Sequence, residues 1–153
     1  MPRKPYVSTY FSPKQGAAAQ VVGFIDHCTG TLDIAVYALT HNDIAEAIAR
    51  AHSRGVVVRV LTDHLMSMQK GSDDEKLKAV GIDVRKDTQD GAMHHKFCIG
   101  DAHTPNGAVI TGSFNWSVNA DKRNAENFVI IRLAYAVKKF KREFDRIWKL
   151  NAV

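Results

Sequence analysis

The chain has 153 residues, of which 45% are hydrophobic and 24% charged. That is ordinary globular composition. It excludes general disorder and supports one domain with a core that needs no covalent staples. No apolar stretch approaches the ~20 residues of a membrane-spanning helix. The 21 basic and 16 acidic residues leave a net charge of +5, a weak pointer to an anionic partner such as nucleic acid or a membrane surface.

The basic start, Met1-Pro2-Arg3-Lys4-Pro5-Tyr6, leads into polar residues rather than the apolar run of an export signal. A cytoplasmic chain is expected, or a mature one whose signal has been cut away. Residues 6–12 alternate like a strand that stops at Pro13. Gly16 to His27 has Ala18, Val21, Val22 and Ile25 at helical spacing and is closed by Gly30. Thr31–Leu39 reads as a strand, and Asn42 as the cap of a helix over Asp43–Ser53 with Ile44, Ala45, Ile48 and Ala51 as its apolar stripe. Val56–Leu61 follows as a buried β-branched run, and Asp73–Val80 as a short helix with acids at its start. Further short strands are expected at Ile82–Lys86, His94–Ile99, Gly107–Ile110 and Asn127–Arg132. Ala134–Leu150 is helical, with Val137, Phe140, Phe144, Ile147 and Trp148 on one face.

Strand–helix alternation in the first half implies right-handed βαβ units, and consecutive strands follow in the second. The expected class is α/β, a mixed, largely parallel sheet flanked by helices on both faces. No repeat, low-complexity tract or linker divides residues 1–153. Cys28 and Cys98 lie 70 residues apart without C-x-x-C spacing, so two reduced, buried thiols are expected.

Residues 94–126 carry the chemistry. In His94-His95-Lys96-Phe97-Cys98-Ile99-Gly100-Asp101, strand alternation puts His94 and Lys96 on one face and His95 on the other. An imidazole beside an ammonium suits an anionic ester, because one attacks or moves a proton while the other holds negative oxygens. Gly112-Ser113-Phe114-Asn115 follows a strand, where a turn exposes backbone N–H groups and two short polar side chains.

These residues resemble the phospholipase D superfamily, whose motif is H-x-K-x4-D followed by G-S-x-N. His94, Lys96 and Asp101 match the first part, and Gly112, Ser113 and Asn115 the second. The size and the single motif copy resemble the family's small bacterial endonucleases. Ala102–Thr111 is ten residues long where the family usually has about six, with the surplus in the turn-forming His103–Gly107. The resemblance implies a two-step displacement through a phosphohistidine, with His94, Lys96, Asn115 and Glu126 catalytic. Lys96, Ser113 and Asn115 would hold the phosphate, Glu126 would orient the histidine, and Asp101 and Gly112 would be structural. It also implies a homodimer that pools two motifs in one site across a two-fold axis. No metal and no cofactor are implied, since lysines stabilise the charge.

Blander readings stand beside these. His94, His95, Asp101 and His103 lack metal-ligand spacing. Asp63, His64 and His41 follow strands and either line the groove or act in caps and turns. Trp116 packs under its turn or stacks on a base, with packing the simpler role. The basic residues of the last helix form, by default, a solvated face. The leading function is a metal-independent, sequence-nonspecific DNA endonuclease, with RNA left open and no stable membrane association expected. The alternatives are a phospholipid (cardiolipin-type) phosphodiesterase of the same superfamily and a catalytically silent nucleic-acid binding module. The charge is uneven: residues 1–14 hold Arg3, Lys4 and Lys14 with no acid, and residues 134–153 hold six basic residues against two acidic ones. The excess therefore sits at the chain's ends and not around the motif.

Overall fold

The computed structural model describes residues 4–152, so Arg3 of the N-terminal basic cluster lies outside the described residues. In chain order the elements are β1 (Val7–Ser12), α1 (Ala17–His27), β2 (Thr31–Val36), α2 (Asn42–Ser53), β3 (Val57–Asp63), α3 (His64–Ser67) and α4 (Asp74–Ala79). They continue with β4 (Asp83–Asp87), β5 (Lys96–Gly100), β6 (Ala108–Gly112), α5 (Val118–Lys122), β7 (Glu126–Ile131) and α6 (Ala134–Leu150). The strands form one seven-stranded sheet in the order β1-β7-β6-β5-β2-β3-β4.

The sheet is mixed, as expected, but its parallel part is confined to β2, β3 and β4. The pairings β1–β7, β7–β6, β6–β5 and β5–β2 are all antiparallel, so the sheet is mostly antiparallel rather than largely parallel. The reason lies in the second half of the chain. Strands β5, β6 and β7 follow one another without a long helix to carry the chain back along the sheet, so each returns antiparallel to the one before. They insert between β1 and β2, two strands that run the same way but never touch.

Strand alternation divides the core between two faces. On one face Ile34, Val60, Cys98, Ile110 and Phe128 pack against Val21 and Ile25 of α1 and Ile44 and Ile48 of α2. On the other, Ala35, Leu61, Phe97, Ile99 and Val109 pack against Val137, Phe144, Ile147 and Trp148 of α6. Phe144 is fully buried, with its ring 6.5 Å from Phe97 and 5.5 Å from Trp148. Asp33, 2% exposed, is buried under α6, where Arg59 (2.7 Å) and Lys141 (3.4 Å) neutralise it. Both cysteines are buried and free, and burial together with Asp101 pushes the Cys28 thiol up to about 12. Helix α2 begins one residue earlier than expected, at Asn42, with His41 in the cap position.

Strand direction fixes which end of the sheet can bear a site. The C-terminal ends of β1, β2, β3 and β6 and the N-terminal ends of β5 and β7 meet at one edge. The register shows it: Val36 lies opposite Lys96, Gly112 opposite Phe128, and Ser12 opposite Glu126.

Candidate active site

Lys96 opens β5 at that edge, and His94 precedes it in the extended lead-in rather than inside the strand as expected. The strand begins late because β2 ends at Val36, leaving His94 without a regular ladder partner; Tyr37 N–H still donates to His95 O at 2.8 Å. His94 and Lys96 nevertheless come together. Lys96 Nζ donates to His94 O at 2.8 Å and lies 3.0 Å from His94 Nδ1. The Tyr37 ring backs both, 4.6 Å from the His94 ring and 5.2 Å from Lys96 Nζ. Burial holds the Lys96 ammonium below its ordinary pKa, while the Glu126 carboxylate opposes that shift. Glu126 thus acts electrostatically on the same ammonium.

The G-S-x-N segment arrives from β6. Gly112 passes so close to β7 that a Cβ there would strike the Asn127 carbonyl oxygen and approach Phe128 Cα to 2.6 Å. Only glycine lets the chain turn here without parting the two strands. Next to it, the Ser113 hydroxyl donates to the Glu126 carboxylate and accepts from Asn127 N–H at 3.1 Å. Glu126 also accepts from Asn124 Nδ2 at 3.4 Å. Phe114 and Trp116 are buried beneath the turn, at 2% and 1% exposure, so Trp116 packs rather than presenting a stacking surface. Trp116 N–H donates to Ala38 O (3.1 Å) and its carbonyl accepts from Thr40 N–H (2.8 Å), tying the turn to the chain leaving β2. Asn115 sits between these anchors, and its Oδ1 is buried with no hydrogen-bond partner among the described residues.

Asp101 does not join the cluster. It lies at the opposite end of β5, where its carboxylate accepts from Thr29 N–H (3.1 Å), Gly30 N–H (2.7 Å) and Thr31 N–H (3.1 Å). The ten-residue stretch 102–111 begins at that same far end, so its extra residues lengthen a turn remote from His94. His95 points to the α6 face, 3.7 Å from Glu143. His41 is buried against Asp121 (3.3 Å) and does not reach the edge cluster. Among the described residues no three His, Cys, Asp or Glu side chains gather as a metal would require.

Tyr37 carries no motif and the sequence does not single it out, whereas Asp63 takes the cap role expected of it. Asp63, 5% exposed, caps α3 through Met66 N–H (3.1 Å) and holds Met93 N–H (3.1 Å) one residue before His94. For Asp63 the sequence offers a signal in its place at the end of a strand, whereas Tyr37 falls inside the expected strand Thr31–Leu39 and carries none.

The open sheet edge carries imidazole, ammonium, hydroxyl, amide and carboxylate groups, a set chemically suited to an anionic ester. A family model described as cardiolipin synthase, PLD-like domain, matches residues 21–148, and the chain belongs to this PLD-like family. A mitochondrial cardiolipin hydrolase of Chlamydomonas reinhardtii is 32% identical over 92% of this chain and 61% of its own length. A phospholipase D of Rickettsia prowazekii is 40% identical over 82% of this chain and 59% of its own. The chain thus spans little more than half the length of these relatives. Among solved structures, the phospholipase D family member Nuc from Salmonella typhimurium superposes with a TM-score of 0.87 at 29% identity, covering 95% of both chains. NucT from Helicobacter pylori gives 0.83 at 26% identity over 94% of this chain and 95% of that one.

Proposed function

We propose that this protein hydrolyses phosphodiester bonds of DNA without sequence preference, through a phosphohistidine formed at a site shared by two copies of the chain. The observation that carries the reading is the pairing of one His94–Lys96 unit with Ser113, Asn115 and Glu126 at an exposed edge. The chemistry needs two imidazoles, one to attack and one to move protons, and the H-x-K motif of one chain supplies one, His94.

In the first step a His94 ring nitrogen attacks phosphorus and an N–P bond forms. The bond to the leaving oxygen breaks, and that oxygen takes a proton from the partner's His94. In the second step water attacks phosphorus, gives its proton to the partner's His94, and the N–P bond breaks to return His94 and a phosphomonoester. Lys96 and Asn115 from both copies stabilise the charge on the non-bridging oxygens, the main task a protein performs in phosphoryl transfer. Ser113, held by Glu126, fixes the turn that carries Asn115. Contacts of this kind reach phosphate rather than base edges, which supports sequence-independent cleavage.

A lipid diester is the second reading, favoured by the relatives named as cardiolipin hydrolases and by exposed Leu65 and Met68 on the segment following β3. One experiment separates the two. Plasmid DNA and cardiolipin vesicles are each incubated with the protein and excess EDTA. Nicking that persists in EDTA and vanishes in His94→Ala supports the nuclease; cleavage of lipid alone overturns it. Sedimentation of the active species as a monomer overturns the shared site.

A further inference from the structure

Helix α6 spends its apolar side on the core, and its other side has no task in the site. Turning about 100° per residue, Tyr135, Lys138, Lys139, Arg142, Arg146 and Lys149 fall within an arc about 100° wide, directly opposite the buried Phe144. All six are exposed. Arg146 is paired with Glu143 at 2.8 Å, and Lys139 stands 5.1 Å from the Tyr135 ring. Among the described residues, Lys138, Lys139, Arg142 and Lys149 form no ion pair, and neither acid of the helix, Glu143 or Asp145, lies within the arc. By contrast Lys141, off the arc, is neutralised by Asp33 and Asp145. Of the stripe's cations only Arg146 has an acidic partner among the described residues.

We propose that this face of α6 is a second binding surface of the protein, sequence-independent and fitted to the phosphate backbone of nucleic acid beyond the segment held at the active edge. The inference rests on the nuclease reading above. From Lys138 to Lys149 the stripe runs about 17 Å, over which one strand of duplex presents about five phosphates. The stripe lies on the side of the helix that faces away from the core, open along its length to a polymer. An amphipathic helix that inserts into a bilayer turns its apolar face outward, whereas the apolar face of α6 is buried in the core.

The test is a salt titration of binding to a 60-base-pair duplex, in a His94→Ala background so that the DNA stays intact. One variant carries Lys138→Gln, Lys139→Gln, Arg142→Gln and Lys149→Gln. A second of equal net charge carries Lys4→Gln, Lys14→Gln, Arg50→Gln and Lys78→Gln. Each phosphate contact contributes about 0.9 to the slope of log affinity against log salt. Four lost contacts mean that between 50 and 200 mM salt the parent loses about 150-fold more affinity than the α6 variant. The second variant is expected to keep the parent's slope. A wild-type slope in the α6 variant overturns the surface, and equal losses in both variants reduce it to net charge. Dependence on α6 for anionic phosphatidylglycerol vesicles, but not for duplex, assigns the stripe to a membrane and also overturns the proposal. If wild-type protein cuts no DNA, the nuclease reading fails; if it cuts DNA and the α6 variant binds like the parent, the α6 inference alone fails.

Discussion

Replacing Asp101 by alanine is expected to cost stability and spare chemistry, although Asp101 completes the H-x-K-x4-D motif. Its carboxylate gathers three consecutive backbone N–H groups, those of Thr29, Gly30 and Thr31, at 2.7–3.1 Å, and is 7% exposed. Each hydrogen bond to a charged group contributes about 1.5–3 kcal/mol, and bonds that share one acceptor do not add fully. Asp101 also holds a φ of 49°, which aspartate tolerates better than alanine. The expected loss is about 3–5 kcal/mol, or roughly 10 °C in melting temperature for a chain of this size. Asp101 stands about 17 Å along β5 from Lys96, too far to touch a phosphate held there. Hydrolysis of bis(p-nitrophenyl) phosphate, measured below the transition, should therefore stay within about threefold of wild type, while circular dichroism records the lower melting point. Lys96→Ala should show the converse, a loss of about 1,000-fold or more in rate with the fold retained. An Asp101→Ala protein that melts like wild type and has no activity would refute this reasoning.

The remaining predictions concern the frame of the site and the core beneath it. Gly112→Ala forces β6 away from β7, so it should lower the melting temperature and the hydrolysis rate together, by about 2–3 kcal/mol in stability; an unchanged melt would deny the close approach. Tyr37→Ala removes the ring behind His94 and Lys96 and should reduce kcat about tenfold while leaving the fold intact, with Tyr37→Phe close to wild type because the contact is made by the ring. A pH–rate profile unchanged in Tyr37→Ala would exclude any influence on the imidazole or the ammonium. Burial pushes the Asp145 carboxyl up, but hydrogen bonds from Lys141 and Arg59 outweigh it and hold it below the usual carboxylate range. Its contribution to stability is therefore present above the unfolded value of about 3.9 and disappears as pH falls through the lower folded value. Melting temperatures recorded from pH 5 to pH 2.5 should fall less steeply in Asp145→Asn than in wild type.

What the sequence disclosed follows the range of the forces involved. Helix α6 is legible residue for residue, because its 3.6-residue apolar period runs through seventeen positions. His94, Lys96, Ser113 and Asn115 are legible because two short spacings carry them, and the structure brings both spacings to one edge. The strand order is not legible. Nothing local to β1 says that its partner is β7, since a pairing between residues 7–12 and 126–131 is decided by the assembled sheet. Helices α3 and α5 span four and five residues, too short for a period to emerge. In the structure Asp63 and Ser117 cap them through Met66 N–H and Ala120 N–H. Asp101 shows the difference between matching a motif and joining a site: spacing along the chain is preserved, yet a five-residue strand carries the third member to the far end of the sheet.

The same pairing of β1 with β7 has a consequence for synthesis. A ribosome making about 5–20 residues per second completes β1 at Ser12 and reaches Ile131 some 6–24 s later. For that interval Val7, Thr9 and Phe11 belong to a finished strand with no partner. β2, β3 and β4 with their helices can assemble meanwhile, but the two sides of the active edge, β2 with β5 and β1 with β7, join only when the end of the sheet has emerged. A nascent chain stalled before residue 126 would expose its first strand to chaperones and proteases, together with the sheet face that α6 later covers.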